Sequence, residues 1–287
     1  MLITDPDVGD FETFRPEAGF AYAFGLTYAD HIAETGQETP EKPIIFRKNV
    51  KPTTGQKAVV APDVMSIIET IERIEPGLAE MVQDKSNLLS SLLDYEIELG
   101  IQVLEDCANE QITRSQELPK IGYFLANDVT SRAVQVFGEL VEDRLPLWSA
   151  SKSFDDFFPC GDTLWVPPAT SREHLPDVTL ELTVNGEVRQ KEPTSNLIYT
   201  PRKLLELAAT TVQDRTLKAG DLIITGTPAG VAFQVAQIMK IMSEVAPGMS
   251  ILDAVLSYGR KEKAYLRPGD IVEMRAGWLG GYSFAVS

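Results

Sequence analysis

Cysteine, histidine and basic residues are scarce in this chain, and each shortage argues against a class of protein. Two cysteines among 287 residues cannot form a disulfide framework or a Cys₄ zinc site, and two histidines disfavour a histidine-rich one. The chain has 26 Lys and Arg residues against 42 Asp and Glu residues, which gives a net charge of −16. This charge argues against nucleic acid or an anionic membrane as the partner.

Long apolar runs and targeting signals are missing as well. No apolar stretch approaches the roughly 20 residues that span a membrane, and the first residues do not resemble a signal peptide. We therefore expect a cytoplasmic protein in a reducing compartment. Hydrophobic residues make up 44% of the chain and charged residues 24%, which is ordinary globular composition with enough core for one large domain or two modest ones.

The apolar pattern predicts an α+β fold dominated by strands. Short apolar runs indicate strands at 44–46, 164–166, 178–184, 222–225, 271–274 and 282–286. Asn185-Gly186 lies between two such runs and is typical of a β-hairpin turn. Helical spacing marks a short helix over 29–36 and two insertions at about 63–91 and 232–262. Core packing is the favoured interpretation of both insertions, ahead of a lid that faces the substrate.

Two glutamates stand inside one apolar run, LDYEIEL, at 93–99. If the run is a strand, Glu96 and Glu98 point to the same face, because side chains alternate. Adjacent buried carboxylates repel each other and lose their hydration, and a hard cation such as Mg²⁺, Mn²⁺ or Ca²⁺ relieves both costs. An edge strand with a wet acidic face, or the end of a helix, is the alternative.

Two further charged residues have chemistry that fits such a site. Asp128 follows an apolar segment and is a candidate third ligand, although it could instead be the N-cap of a helix over 129–140. Lys152 lies among small and aromatic residues, where it can neutralise a carboxylate substrate or an enolate. Ser149-x-x-Lys152 also matches the Ser-Lys pattern of penicillin-recognising enzymes, but the companion motifs of those enzymes are absent.

A candidate base and a candidate anion-binding turn complete the set. His31 and Glu34 share a face of the predicted helix, an arrangement that orients an imidazole and raises its basicity. A surface ion pair is the simpler interpretation of the same spacing. The glycine-bounded turn 226–230 follows a predicted strand and can present backbone N–H groups and the Thr227 hydroxyl to an anion, or it is only a tight turn.

Seven segments occur in a fixed order: YADHIAETG at 28–36, EIE at 96–98, NDVTSR at 127–132 with Gln135, KSFD at 152–155, VNGEVRQ at 184–190 with TSN at 194–196, GDLIITGTPAGV at 220–231, and PGD at 268–270. In this order they resemble the fumarylacetoacetate hydrolase family over most of residues 20–287. The likeness is to its acylpyruvate hydrolase and oxaloacetate decarboxylase-like branch.

The resemblance implies a fold and an assembly. The fold would be a mixed β-sandwich roll with helical insertions. An N-terminal segment, 1–60, would carry a lid helix, and a catalytic domain would follow at 61–287, the two forming one structural unit. The assembly would be a homodimer that acts on a small-molecule 2-oxo or diketo acid.

The resemblance also implies roles for individual residues. Mg²⁺, with Mn²⁺ or Ca²⁺ as alternatives, would be held by Glu96, Glu98 and Asp128. The catalytic residues would be His31 and Glu34, which activate a water from the lid, and Lys152. Substrate binding would fall to Gln135, Thr227, Lys48 and Arg132.

The expected reaction is the hydrolysis of a C–C bond in an acylpyruvate-like or 1,3-diketo acid. A 2-oxo acid decarboxylase with an oxaloacetate-like substrate, or an isomerase or hydratase, could use the same site, because all of these reactions need a stabilised enolate. A catalytically silent binding or assembly protein is the weaker alternative.

Overall fold

The computed structural model describes residues 2–16, 19–34, 43–55, 58–245, 248–259 and 261–287, with all side chains in these ranges except those at 33, 34, 236, 237, 241 and 245. The strands are β1 (Leu2–Ile3), β2 (Asp10–Thr13), β3 (Ala21–Gly25), β4 (Ile44–Lys48), β5 (Leu93–Asp94), β6 (Ile97–Val103), β7 (Cys107–Ala108), β8 (Ile121–Asn127), β9 (Thr130–Ser131), β10 (Thr163–Val166), β11 (Leu175–Pro176), β12 (Thr179–Val184), β13 (Glu187–Pro193), β14 (Thr216–Leu217), β15 (Leu222–Ile224), β16 (Ile271–Arg275) and β17 (Gly281–Ala285).

The α-helices are α1 (Ala29–Glu34), α2 (Val64–Ile74), α3 (Ala79–Asp84), α4 (Asn109–Arg114), α5 (Arg132–Phe137), α6 (Leu145–Ser151), α7 (Pro201–Thr210), α8 (Val235–Lys240) and α9 (Ile251–Gly259). A π-helical turn, Ile241–Val245, follows α8, and 3₁₀ turns link several other elements. Among the residues that the structure describes, none lies in a helix long and apolar enough to cross a membrane.

A seven-stranded mixed sheet is the centre of the fold, with the order β2-β10-β8-β6-β15-β3-β4. Its pairs are antiparallel except β15 with β3, which run parallel. A four-stranded antiparallel sheet, β13-β12-β16-β17, packs against it, and side chains of β6 and β12 share one hydrophobic core. This arrangement confirms the predicted α+β, β-dominated fold.

The hairpin predicted at Asn185-Gly186 joins β12 to β13. Both turn residues have positive φ, 51° and 81°, which is the conformation that favours Asn and Gly in a two-residue β-turn. The predicted domain boundary near residue 60 stays a prediction, and β2, β3 and β4, which precede it, are strands of the central sheet.

The sequence predicts an interruption of each helical insertion, at Pro76-Gly77 and at Pro247-Gly248; the first is confirmed, and Pro247 lies outside the described residues. The first insertion consists of α2 and α3, separated by a 3₁₀ turn at Pro76–Leu78, because proline cannot continue the hydrogen-bond ladder of α2. The second consists of α8, the π-helical turn and α9. Helix α1 ends at Glu34 as the structure describes it, and the predicted terminator Gly36 lies outside the described residues.

Two local predictions near the acidic residues are wrong. The run 93–99 is not one strand, because β5 pairs with β9 whereas β6 pairs with β8 and β15, and the chain changes partner at Tyr95 and Glu96. Asp128 does not cap a helix, since it lies between β8 and β9 and the nearest helix, α5, begins at Arg132.

Candidate active site

Three buried carboxylates meet where β6 begins and β8 ends. Glu96, Glu98 and Asp128 each offer an oxygen, and these oxygens lie within 4.8 Å of one another. Antiparallel pairing brings them together, because the register places Glu98 opposite Ala126, and the Asp128 N–H donates to the Glu96 carbonyl at 2.8 Å. The proximity predicted for the two glutamates is therefore correct, although Glu96 lies just before the strand.

The glycine-bounded turn binds an anion that belongs to the protein itself. The Gly226 N–H donates to Glu98 Oε2 at 2.7 Å. Gly226 has a φ of +92°, and a Cβ there would lie 2.1 Å from Thr27 Oγ1, so a side chain at this position would displace the turn. The turn thereby fixes one oxygen of a candidate metal ligand.

Two buried lysines neutralise part of this acidic cluster. Lys152 Nζ contacts Glu96 Oε2 at 2.7 Å, Asp128 Oδ2 at 2.8 Å and the Thr130 hydroxyl at 2.7 Å. Lys48, the last residue of β4, contacts Asp128 Oδ1 at 2.6 Å and donates to the carbonyl oxygen of Lys152. Both lysines predicted for the site therefore lie in it, bound to its carboxylates.

Arg132 is the third buried cation of the cluster. Its guanidinium contacts Glu96 Oε1 at 2.6 Å, Asp94 Oδ2 at 2.8 Å and Gln135 Oε1 at 2.6 Å. These contacts leave part of its edge on the pocket, whose lining includes Arg132. The structure thus places Arg132 at the site, with three of its five N–H donors engaged by the protein.

Burial and neighbouring charges shift the pKa values of the two glutamates in opposite directions. Burial would raise the pKa of Glu96, but the charges of Lys152 and Arg132 outweigh it and lower this pKa to about 2. Burial, reinforced by the charges of Asp128 and Glu96, raises the pKa of Glu98 well above its usual range. Among the described residues no cation forms an ion pair with Glu98, so its charge is the least compensated of the three.

The donor set fits a hard divalent cation. Two oxygens bound to one ion at roughly 2.0–2.6 Å lie up to about 5 Å apart, which agrees with the 4.8 Å spread of the three carboxylates. The cluster of Asp94, Glu96, Glu98 and Asp128 faces three cations, so it carries one excess negative charge. A divalent ion together with a monoanionic ligand would neutralise that cluster.

A pocket of about 210 Å³ opens onto this cluster. Its lining contains eight polar side chains besides Thr227: His31, Glu96, Asp128, Arg132, Gln135, Glu139, Arg144 and Lys152. Much of the remaining lining is apolar and aromatic: Phe24, Leu26, Phe46, Val136, Trp148, Val231, Phe233, Val235 and Ile251. A ligand here would have its polar head near the carboxylates and apolar atoms against the rest of the wall.

The candidate base reaches the pocket from α1. His31 is half-buried in the pocket lining. Burial, Lys152 and Arg132 have the larger effects on the pKa of Glu96, and His31 is near enough to lower this pKa further. The backbone of Glu34 ends the same helix, but its side chain lies outside the described part of the chain. The predicted pairing of Glu34 with His31 therefore stays a prediction.

The two predicted neutral substrate ligands also line the pocket. Gln135 accepts from Arg132 through Oε1, which leaves its amide Nε2 to donate elsewhere. The Thr227 hydroxyl accepts from Gln190 Nε2 at 2.8 Å and donates to the Ile97 carbonyl at 3.1 Å. Thr227 is therefore oriented by the two sheets, and Gln135 by Arg132.

Three residues of the site were not foreseen from the sequence. Asp94 could have been found, since alternation places it on the same face as Glu96, two residues away. Trp148 lies on α6 and Arg144 directly precedes this helix, and nothing in the sequence pattern marks either residue. In the structure the Arg144 guanidinium stacks on the Trp148 ring at 4.7 Å and lies 3.4 Å from Glu139 at the exposed side of the pocket.

Comparison with known proteins decides the family. The family model for the C-terminal domain of fumarylacetoacetate hydrolase matches residues 21–286. This chain belongs to the fumarylacetoacetate hydrolase family. The resemblance inferred from the seven motifs is confirmed, and the family match covers nearly all of the residues that form the two large sheets.

Relatives in the family carry different named activities. An oxaloacetate tautomerase from Schizosaccharomyces pombe, described as mitochondrial, is 33% identical over 75% of this chain and 83% of its own length. A 2,4-didehydro-3-deoxy-L-rhamnonate hydrolase from a Sphingomonas strain is 28% identical over 91% of this chain and 71% of its own length. These names cover different reactions.

A solved structure shows the same fold over the whole chain. The crystal structure of a fumarylpyruvate hydrolase from Pseudomonas aeruginosa, described as a complex with Mn²⁺ and pyruvate, has a TM-score of 0.62 and 20% identity. The match covers 99% of this chain and 98% of that one. The helical insertions therefore belong to an architecture that other members of the fold can match in length.

Proposed function

We propose that this protein is a divalent-metal-dependent hydrolase that cleaves the C–C bond of an acylpyruvate-like 2,4-dioxo acid. The observation that carries the proposal is the buried trio of Glu96, Glu98 and Asp128, two of which, Glu96 and Asp128, line the same largely apolar pocket as His31. The trio suits a cation that binds a 2-oxo acid, and the apolar wall suits an acyl chain. The Mn²⁺ and pyruvate described for the fumarylpyruvate hydrolase structure support this choice of ion and head group.

Glu96, Glu98 and Asp128 would hold Mg²⁺ or Mn²⁺. When bound, the ion supplies Lewis-acid stabilisation of the negative charge that develops on the 2-oxo group. Gln135 donates from its free amide N–H to the substrate oxygens, and Arg132 faces the same space from the pocket lining. Lys152 keeps the two carboxylates nearest to it at a fixed separation.

His31 would remove a proton from water as the water oxygen adds to the C4 carbonyl carbon. The C3–C4 bond then breaks, and its electron pair remains on the pyruvate fragment as an enolate. Protonation of C3 by the imidazolium completes pyruvate, while C4 with the added oxygen leaves as a carboxylic acid. The pocket wall around this step is apolar, which limits the access of other water molecules.

Removal of divalent ions should abolish the reaction. We expect the turnover of 2,4-dioxopentanoate to fall to background after chelation and to return on addition of Mg²⁺ or Mn²⁺, because no described side chain replaces the cation on the substrate. The measurement is pyruvate release before chelation, after chelation and after ion addition. Activity that survives complete chelation would contradict the proposal.

The oxaloacetate tautomerases give a specific reason for a second candidate function. At 33% identity over 83% of the Schizosaccharomyces pombe protein, keto–enol isomerisation of a 2-oxo acid is a serious alternative on the same site. Product analysis separates the two functions. Acetate and pyruvate in equal amounts from 2,4-dioxopentanoate support the hydrolase, whereas rapid enol–keto conversion of oxaloacetate without C–C cleavage of either acid supports the tautomerase. Release of CO₂ from oxaloacetate would indicate the decarboxylase.

Arg144 should favour substrates whose acyl group ends in a second carboxylate. Its guanidinium stacks on Trp148 and forms one ion pair among the described residues, at 3.4 Å with Glu139, whereas the buried cations each bind site carboxylates closely. Because a charge-assisted hydrogen bond contributes about 1.5–3 kcal/mol, Arg144→Gln should raise KM for such a substrate by roughly 10-fold or more. KM for 2,4-dioxopentanoate should stay unchanged. Arg114→Gln, at an exposed i,i+4 ion pair, is the control.

Equal KM changes for the two substrates would remove Arg144 from substrate selection.

The homodimer, the small-molecule partner and the absence of nucleic-acid and membrane partners stay predictions. A silent binding protein is the outcome that calorimetry would support if it detected no binding of Mg²⁺ or Mn²⁺.

A further inference from the structure

Asp94 is a fully buried carboxylate that the proposed reaction does not use. Its Oδ1 accepts from the Tyr95 and Ala232 backbone N–H groups, each at 2.8 Å. Its Oδ2 accepts from the Phe233 N–H at 3.1 Å and from Arg132 Nε at 2.8 Å. Four donors from three parts of the chain therefore converge on a single carboxylate.

The backbone donors belong to a wall of the pocket. Val231 and Phe233 line the pocket, and Ala232 lies between them. Ala232 is 138 residues away from Asp94 along the chain, so this contact fixes where the segment that leads into α8 approaches the sheet. The Phe233 ring also lies under the Arg132 guanidinium, at 5.4 Å from its centroid.

The side-chain donor, Arg132, also contacts a member of the acidic trio. Arg132 is held by Asp94 at one edge and contacts Glu96 Oε1 at 2.6 Å through another nitrogen. A planar guanidinium fixed at two edges has little freedom, so the direction of one contact sets the direction of the other. Loss of a residue that orients a metal ligand from behind typically costs about 10–100-fold in metal affinity or activity.

We propose that Asp94 is a positioning residue that ties the wall segment 231–233 to Glu96 through Arg132. One buried group then sets both the shape of the pocket and the direction of a cation-binding carboxylate. The part that concerns Glu96 rests on the proposed function, because it requires Glu96 to bind a cation. The part that concerns the wall segment does not.

A matched control exists elsewhere in the chain, directly before β15 of the central sheet. Asp221 is also buried and also accepts backbone N–H groups, from Phe20 at 2.8 Å and Lys218 at 2.9 Å, but it does not line the pocket. Asp94→Asn and Asp221→Asn both introduce an amide where a carboxylate accepted several donors. Both should lower the thermal midpoint, so a loss of stability alone does not distinguish them.

Three readouts do distinguish the two variants. Calorimetry with Mn²⁺ should show an affinity reduced by roughly 10–100-fold for Asp94→Asn and unchanged for Asp221→Asn. Steady-state kinetics at saturating Mn²⁺ should show a lower kcat for Asp94→Asn as well as a higher KM. Limited trypsin digestion without metal should cleave Asp94→Asn after Lys240, the last residue of α8, faster than it cleaves Asp221→Asn or the unaltered protein.

The proposal is overturned if Asp94→Asn and Asp221→Asn are cleaved at Lys240 at the same rate and bind Mn²⁺ equally well. If the unaltered protein binds no Mn²⁺, the proposed function fails, and the digestion still decides whether Asp94 holds the wall. Should Asp94→Asn not fold, Arg132→Lys replaces it, since a single ammonium cannot bridge Asp94 and Glu96 as the guanidinium does. Arg132→Lys leaves the bonds from Ala232 and Phe233 to Asp94 in place, so it should weaken Mn²⁺ binding, and unchanged Mn²⁺ affinity in this variant would overturn the link between Asp94 and Glu96.

Discussion

Glu98→Gln should make the metal-free protein more stable and at the same time abolish its stabilisation by Mn²⁺. Burial and the charges of Asp128 and Glu96 disfavour the ionised form of Glu98, and glutamine removes that charge while its carbonyl can still accept from Gly226. Relief of about 1 kcal/mol would raise the thermal midpoint by about 2–4 °C. Relative to the unaltered protein, the variant should therefore be more stable without the ion and less stable when Mn²⁺ is bound.

The gain in stability should depend on pH in one direction. Because the pKa of Glu98 is raised in the folded protein, its protonation favours folding at low pH, and that contribution is lost as the pH rises above about 4.5 through the folded pKa. Glutamine has no such loss. The advantage of Glu98→Gln should therefore be small near pH 4.5 and largest in mildly alkaline buffer.

Melting curves with and without Mn²⁺ measure both effects. At an ion concentration about 100 times its Kd, the unaltered protein should gain about 2.7 kcal/mol, whereas Glu98→Gln should gain almost nothing. Glu105→Gln, at an exposed residue after the same strand β6, is the control and should keep the response to Mn²⁺. A full response to Mn²⁺ in Glu98→Gln would remove Glu98 from the ligands. A destabilised metal-free Glu98→Gln would contradict the electrostatic argument.

Much of the acidic trio could be predicted because short-range rules place it. Side-chain alternation relates Glu96 to Glu98, and an apolar run that ends at Asn127 indicates a strand that delivers Asp128. The chain nevertheless changes partner strand before Ile97, and the sequence contains no local signal for that change. The alternative role of Asp128 as a helix cap fails because the chain enters strand β9 at Thr130 and the next helix begins only at Arg132, which periodicity cannot show.

The surroundings of the trio depend on contacts between distant parts of the chain. Asp94 acquires its partners from residues 232 and 233, and Arg144 reaches the pocket only because α6 packs against α5 and β4. Lys152 is expected to act in catalysis and Lys48 to bind the substrate, and in the structure both bind carboxylates of the protein. Sequence reasoning can recognise a charge that needs a partner, but the choice of partner is made by the tertiary fold.

His31→Asn should separate the binding of the cation from the chemistry. His31 is not one of the three clustered carboxylates, so Mn²⁺ affinity measured by calorimetry should be unchanged. Loss of a positioned general base typically lowers the rate by about 10²–10⁴-fold, and we expect kcat for 2,4-dioxopentanoate to fall in this range. His174→Asn is a matched control, because His174 is also half-buried but does not line the pocket.

The same variant tests which of the two reactions the site catalyses. If His31 activates water, His31→Asn should lower the rate of hydrolysis far more than the rate of enol-to-keto conversion of oxaloacetate. The second reaction does not require water to attack a carbon atom. If both rates fall by the same factor, His31 moves a proton of the enol in each, and the tautomerase becomes the better assignment. If neither rate falls, the imidazole is not the base, and Lys48, whose pKa is lowered by burial, becomes the next candidate. The position of His31 in the pocket lining makes the first outcome the expected one.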